Sequence, residues 1–222
     1  MTDYLLNDIS RKLARIALEI GAVRLSPDKP FTWASGYQMP IYNDNRLFLG
    51  SAEYRNLIAR GFYEIIRANN IEMDVVAGAA TAGIPHTAIL ANLLELPMIY
   101  VRIKPKGHGM KNQVEGPLQK HQKTLVLDDL ISTGASVLSV VDAVREKGAL
   151  VNHCLSIFSY GFSEAEKAFV GAKCDLYSLL TLSVLIDEAG KCGKINSQQS
   201  ELLREWRQDP FGWGERKGFP KI

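Results

Sequence analysis

Apolar residues recur at helical spacing over residues 5–20 (Leu5, Ile9, Leu13, Ile16, Ala17, Ile20), and Gly21 stops the pattern, so the chain opens with an amphipathic helix. Residues 22–25 read as a short strand ahead of Pro27 and Pro30. Over residues 31–46, strand-like ends flank the turn pair Ser35–Gly36, which predicts a hairpin. Residues 52–68 form a second amphipathic helix, 74–78 a compact strand, 86–94 a helix and 98–102 another strand. Residues 124–127 are an apolar, β-branched run too short for a helix. A helical face carrying Val137, Leu138, Val141 and Val144 follows. Further on come a strand over 151–158, a helix over 163–170, and a last strand over 176–182 that runs into a short helix ending at Gly190. Asn196 and Ser197 are placed to cap a final helix over 198–208, which Asp209-Pro210 ends. The aromatic, Gly- and Pro-containing tail over 211–222 is expected to pack on the surface.

Strands alternating with helices at this interval predict an α/β fold with a doubly wound, mostly parallel central sheet. Ligands of such sheets sit at the carboxyl ends of the strands. The segments 79–83, 102–118 and 128–136 would then share one rim. The 222 residues suit one domain, 1–222, able to bury a substantial core. Within it, residues 1–50 hold the first helix and hairpin, 51–190 the core sheet and helices, and 191–222 the last helix and tail.

Charge and cysteine content narrow the class. Lys and Arg number 26 against 24 acidic residues, a net +2, which makes no case for a nucleic-acid binder. No apolar run is long enough to span a membrane, and the polar start does not read as a signal peptide. Cys154, Cys174 and Cys192 are far apart, as reduced thiols would be, with neither zinc-site nor disulfide spacing. A cytoplasmic protein without membrane or nucleic-acid partners is expected.

The chemistry concentrates at Thr124-Leu-Val-Leu-Asp-Asp-Leu-Ile-Ser-Thr-Gly-Ala-Ser-Val137. Asp128 and Asp129 end the apolar run, and a small-residue turn from Ser132 to Ser136 opens onto the helix. Backbone N–H groups, hydroxyls and a helix N-terminus favour an anion there. Two carboxylates just upstream accept hydrogen bonds from vicinal hydroxyls or metal-bound water, and are costly to bury without such donors. A ligand with a phosphate and a diol, a ribose 5-phosphate, fits both halves. The string is neither a Walker A loop nor a dinucleotide fingerprint. Two other segments add to it. Small residues at 79–83, between a strand and a helix, make a second candidate anion loop. Residues 102–118 carry Lys104, Lys106 and Lys111 among glycines and prolines without periodicity, which suits a lid closing over a polyanion.

The stretch 124–137 resembles the PRPP-binding motif of type I phosphoribosyltransferases, PRPP being 5-phosphoribosyl 1-diphosphate. The resemblance covers about residues 31–210. Phe31-Thr32, Ser35-Gly36, Pro40, Tyr42 and Asn45-Arg46 are similar to the opening segment of the orotate phosphoribosyltransferases. Arg102, Lys106, His108 and Gly109 match their lid, 78–85 their pyrophosphate loop, and Tyr177-Ser178 with Leu203–Pro210 one bacterial branch.

The resemblance implies the type I phosphoribosyltransferase fold, with a small N-terminal hood built from the first helix and hairpin. It implies transfer of phosphoribose from PRPP to orotate with Mg²⁺, by a homodimer whose lid residues are shared across subunits. PRPP would be bound by Arg102, Lys106, His108, Asp128, Asp129, Leu130, Ile131, Ser132, Thr133, Gly134, Ala135 and Ser136. Lys106, His108, Asp128 and Asp129 would be catalytic and Ser132 would contact orotate; no side chain is assigned as a resident metal ligand. The chain departs from the best-known branch at Ala34, Ile103 and Ala82, each in place of a lysine. Residues 156–161 hold no counterpart of an orotate-gripping arginine. Transfer to another nucleobase, or a PRPP-sensing regulator on the same fold, remain alternatives.

Overall fold

The computed structural model describes residues 2–102 and 113–222. Helix α1 (Thr2–Glu19) leads into β1 (Val23–Leu25), β2 (Phe31–Thr32), β3 (Gln38–Met39) and β4 (Ile41–Asn43). A 3-10 turn, Asn45–Gly50, precedes α2 (Ala52–Ala68), β5 (Val75–Ala79), α3 (Gly83–Leu94), β6 (Met98–Val101) and β7 (Val114–Glu115). Then come β8 (Lys123–Ile131), α4 (Ala135–Glu146), β9 (Leu150–Ser159), α5 (Ser163–Gly171) and β10 (Asp175–Thr181). Helices α6 (Leu182–Lys191), α7 (Ser197–Gln208) and the short α8 (Trp213–Arg216) complete the order. None of the described helices is long and apolar enough to cross a membrane.

The main sheet runs β10-β9-β8-β5-β6-β7, parallel throughout except for β7, which is antiparallel to β6. This is the expected doubly wound arrangement. Alternation along the strands sorts the core into two layers. Val76, Leu125, Leu127, Leu155 and Ile157 pack with α1, α2, α3, α6 and α7 on one face. Val75, Val126 and Cys154 pack with Val137, Val140, Val141 and Val144 of α4 and Phe169 of α5 on the other. A strand covered on both faces needs an unbroken apolar run, and Thr124–Leu127 supplies one. Each fully buried Val or Leu there contributes about 1.5–3 kcal/mol relative to exposure.

Several expectations are corrected. Strand β8 does not end at Leu127 but runs through both acids to Ile131, because β9 is long enough to supply ladder partners as far as Ser159. The segment 102–118 is not wholly without structure, since β7 pairs with β6 at the sheet edge. Helix α3 begins at Gly83 and not at His86, its N-cap being Ala82. Asn196 alone caps α7, in a reciprocal capping box with Gln199, and Ser197 is its first helical residue.

The tail is not a surface appendage. Trp213 is fully buried, and the Ile222 N–H donates to the Gly36 carbonyl at 3.0 Å, tying the chain end to the β2–β3 hairpin. The hairpin also meets α7: the Trp206 indole N–H points at the Met39 sulfur at 3.2 Å. Trp206 lies among Trp33, Tyr160 and Phe162, with ring centroids 5.3–6.4 Å away. Trp206→Ala would open a cavity where hairpin, β9 and α7 meet. A loss of about 3–5 kcal/mol in unfolding free energy is expected, read from the urea midpoint by circular dichroism.

Candidate active site

The acid pair lies near the carboxyl end of β8, where Asp128 sits opposite Ser156 and Leu130 opposite Phe158 of β9. The Asp129 N–H donates to the Asp128 carboxylate at 2.9 Å. Burial, followed by the charge of Asp129, pushes the Asp128 carboxyl up to about 7. Burial also raises Asp129, against the favourable charge of nearby Arg46. Two carboxyls in this state await hydrogen-bond donors. The Asn45 side-chain N–H₂ donates to the Asp129 carbonyl at 2.7 Å, so the N-terminal segment is bonded directly to the acid strand.

After Ile131 the chain turns through Ser132 and Thr133 to Gly134, which adopts φ +83° and caps α4 with no side-chain hydrogen bond. Such a backbone suits glycine, and an added Cβ would also meet the Phe169 ring at 3.0 Å. The first-turn N–H groups of α4, which begins with Ala135 and Ser136, thus have no side-chain cap competing for them. Ile131 is buried in the α4 layer, so only its backbone is available to a ligand, whereas Leu130 lines a cavity beside the acids.

The 79–83 loop packs against the same strand. A Cβ on Gly83 would lie 2.7 Å from the Leu127 carbonyl oxygen and 3.3 Å from the Asp128 Cα, so only glycine permits this approach. The Ala80–Thr81 peptide is cis. One turn into α3, burial drives the His86 imidazole down to about 4, which keeps it neutral at ordinary pH.

Across from the acids, the N-terminal segment and β8 enclose a cavity of about 380 Å³. Ser132, Leu130 and Tyr160 line one side, and Thr32, Trp33, Ala34, Ser35, Tyr42 and Asn43 the other. The Trp33 indole N–H donates to the Ile41 carbonyl at 2.8 Å, and its ring centroid lies 5.7 Å from that of Tyr160. Two aromatic walls and several hydroxyls suit a flat polar ring.

Arg102 stands at the end of β6, its backbone N–H bonded to the Gln113 carbonyl and its guanidinium 3.3 Å from the Glu115 carboxylate. Lys106 and His108 lie outside the described residues. The structure therefore gathers Asp128 to Ser136, the 79–83 loop and the hairpin, with Arg102 at the edge of the neighbouring strand. Asn45 belongs to the segment that resembles the family's opening, without a role assigned to it there, while Asn43 and Tyr160 are not singled out by sequence. The dense polar and aromatic composition of residues 31–46 was the available signal for the first two. Tyr160 had none, since its place is set by the course of β9.

Comparison with known proteins agrees with this geometry. The phosphoribosyl transferase domain family matches residues 50–175. The orotate phosphoribosyltransferase of Cutibacterium acnes is 46% identical over 209 residues, which cover 94% of this chain and 97% of that protein. Among solved structures, the orotate phosphoribosyltransferase from Aeropyrum pernix superposes with a TM-score of 0.72 at 30% identity, covering 83% of this chain and 99% of that one. The UMP synthase of Leishmania donovani gives a TM-score of 0.74 at 27% identity, covering 89% of this chain but 42% of that longer protein.

The carboxyl pair makes stability depend on pH. Asp128 titrates near 7 in the folded chain and near about 3.9 when unfolded. The folded state therefore holds more protons between those values, and stability falls as pH rises through that window. The thermal midpoint of the ligand-free protein is expected to decline from pH 5 to pH 8, with a shallower decline in Asp128→Asn. Identical pH profiles would remove Asp128 as the source.

Proposed function

The chain belongs to the orotate phosphoribosyltransferases, and from that premise we propose that residues 128–136 hold PRPP while the cavity behind Ser132 holds orotate. The protein transfers the 5-phosphoribosyl group from PRPP to orotate, giving orotidine 5′-phosphate and pyrophosphate in pyrimidine nucleotide biosynthesis. The observation that carries the site assignment is the pair of raised carboxyls beside an uncapped helix N-terminus, a diol acceptor next to a phosphate cradle.

In this reading Asp128 and Asp129 accept hydrogen bonds from the ribose hydroxyls, which stabilises their ionised forms. Backbone N–H groups from Ser132 to Ser136, with the Ser132, Thr133 and Ser136 hydroxyls, hold the 5-phosphate. Gly134 lets the turn close and Ala135 keeps it open to the ligand. Leu130 and Ile131 contribute through strand position, and Ser132 also reaches the base cavity. Displacement at the anomeric carbon builds positive charge on the sugar and negative charge on the departing diphosphate. The protein's part is then positioning and charge stabilisation. Arg102, Lys106 and His108 are assigned to the diphosphate.

Mg²⁺ belongs to the same reading as the companion of PRPP. A hard, oxygen-seeking cation suits the carboxylates of Asp128 and Asp129, and such ions are held in part by substrate phosphates and water. No group of three or more metal-binding side chains occurs among the described residues. When bound, it neutralises charge on the leaving group. We further assign a homodimer with lid residues shared between subunits, on the resemblance at Arg102 to Gly109, and a cytoplasmic location, supported by the free thiols of Cys154, Cys174 and Cys192.

A spectrophotometric assay of orotate consumption with PRPP and Mg²⁺ tests the reading, with uracil, hypoxanthine and adenine as competitors for the acceptor role. Turnover is expected on orotate; inactivity there with turnover on another base would overturn it. Lys106→Ala is expected to lower turnover by roughly 10²-fold or more with little change in PRPP affinity, if its contact strengthens as the diphosphate leaves. Unchanged turnover would remove Lys106 from the mechanism.

A further inference from the structure

Strand β8 is only half supported where its chemistry begins. The ladder between β5 and β8 runs to Gly78 opposite Leu127, and past that point β8 is paired with β9 alone among the described residues. The Asp129 carbonyl nevertheless has a further partner, the Asn45 side-chain N–H₂ at 2.7 Å, from a residue 84 positions away in the chain. Asn45 is 2% exposed, so water does not compete for this bond. With the Asp129 N–H bonded to the Asp128 carboxylate, the main chain of Asp129 is held at both its polar groups.

The neighbours of Asn45 make its mount rigid. The Asp44 carboxylate accepts from the Arg46 backbone N–H at 3.2 Å and from the Arg46 guanidinium at 2.6 and 2.8 Å, bracketing Asn45 on both sides. Phe48, fully buried, pins the same 3-10 turn into the core, and Arg55 donates to the Leu49 carbonyl at 2.6 Å near its far end. Arg46 also lies close enough to Asp129 for its charge to favour the ionised carboxyl. A buried donor on so firm a base fixes what it is bonded to.

We propose that Asn45 is a positioning residue of the PRPP site: held by the Asp44–Arg46 brace, it fixes the Asp129 main chain and so the orientation in which the two carboxyls meet a vicinal diol. The proposal rests on the PRPP reading of residues 128–136 above. It gives the N-terminal segment a part in binding the sugar as well as in lining the base cavity. Contacts to ribose hydroxyls are made before and during the displacement alike, so loss of this positioning weakens PRPP binding more than it slows turnover.

The test compares wild type with Asn45→Ala, which removes the donor, and Asp44→Ala, which loosens the mount and leaves the donor in place. PRPP affinity is measured by calorimetry with Mg²⁺, and kcat and both KM values with orotate. In Asn45→Ala, Kd and KM for PRPP are expected to rise roughly 10-fold or more, while kcat stays within about threefold and KM for orotate within about twofold. Asp44→Ala is expected to show the same pattern at roughly 2- to 5-fold, and it carries the test if Asn45→Ala does not fold. Loss of folded protein would lower kcat with both KM values unchanged, and a displaced hairpin would raise both KM values together. Either pattern, or an unchanged PRPP affinity, would overturn the proposal. Wild type that binds no PRPP would instead sink the reading of residues 128–136; wild type and variants binding it alike would sink only the role of Asn45.

Discussion

Two adjacent carboxyls held out of water near the carboxyl end of a central strand are the constraint around which the rest of this protein is arranged. Burial raises both, and the charge of Asp129 raises Asp128 further. A strand buried on both faces is rigid enough to hold such a pair in place. The residues just before it, Leu125, Val126 and Leu127, are buried on alternating sides between helical layers. The surroundings are matched to that end of the strand. Gly83 allows the 79–83 loop to touch Leu127 and Asp128, Asn45 binds the Asp129 carbonyl, and Arg46 adds positive charge nearby. A ligand that brings hydrogen-bond donors would find these acceptors already oriented, which is how a site lowers the cost of binding.

The second feature of the site is its wall of aromatic rings. Tyr160 leaves β9 into a cluster with Phe158, Phe162, Trp33 and Trp206, and Phe162 stacks on it with the rings 9° from parallel. Arg207 donates to the Gly161 carbonyl at 3.1 Å, fixing the turn that follows. Trp213 and the chain end close the far side of the hairpin. The hairpin is only two residues per strand, too short to hold its own shape. Its position comes from α7 and the tail, so C-terminal residues help to shape the cavity that Trp33 lines.

Much was legible because it was local. The run from Thr124 to Val137 declares its strand, acids, turn and helix in order, and each depends on neighbours within a few residues. The helix over 52–68 and the capping role of Asn196 were legible for the same reason: periodicity and capping are short-range effects. The length of β8 was not, because a strand extends as far as its partners allow, and β9 lies twenty and more residues away in sequence. The tail looked superficial from its glycines and prolines, yet Trp213 is buried and stacked on Phe219, and the chain end is bonded to Gly36 of the hairpin.

The sequence by itself determined the α/β class and the run of strand, acid pair, turn and helix over residues 124–137, since hydrophobic period and turn chemistry act between near neighbours. Only the tertiary structure decided which distant groups complete the site. It set Asn45 on the Asp129 carbonyl, across 84 residues of chain, and brought Tyr160 opposite Trp33. Those placements depend on how layers pack and on which polar groups find partners once water is excluded, and no local pattern encodes either.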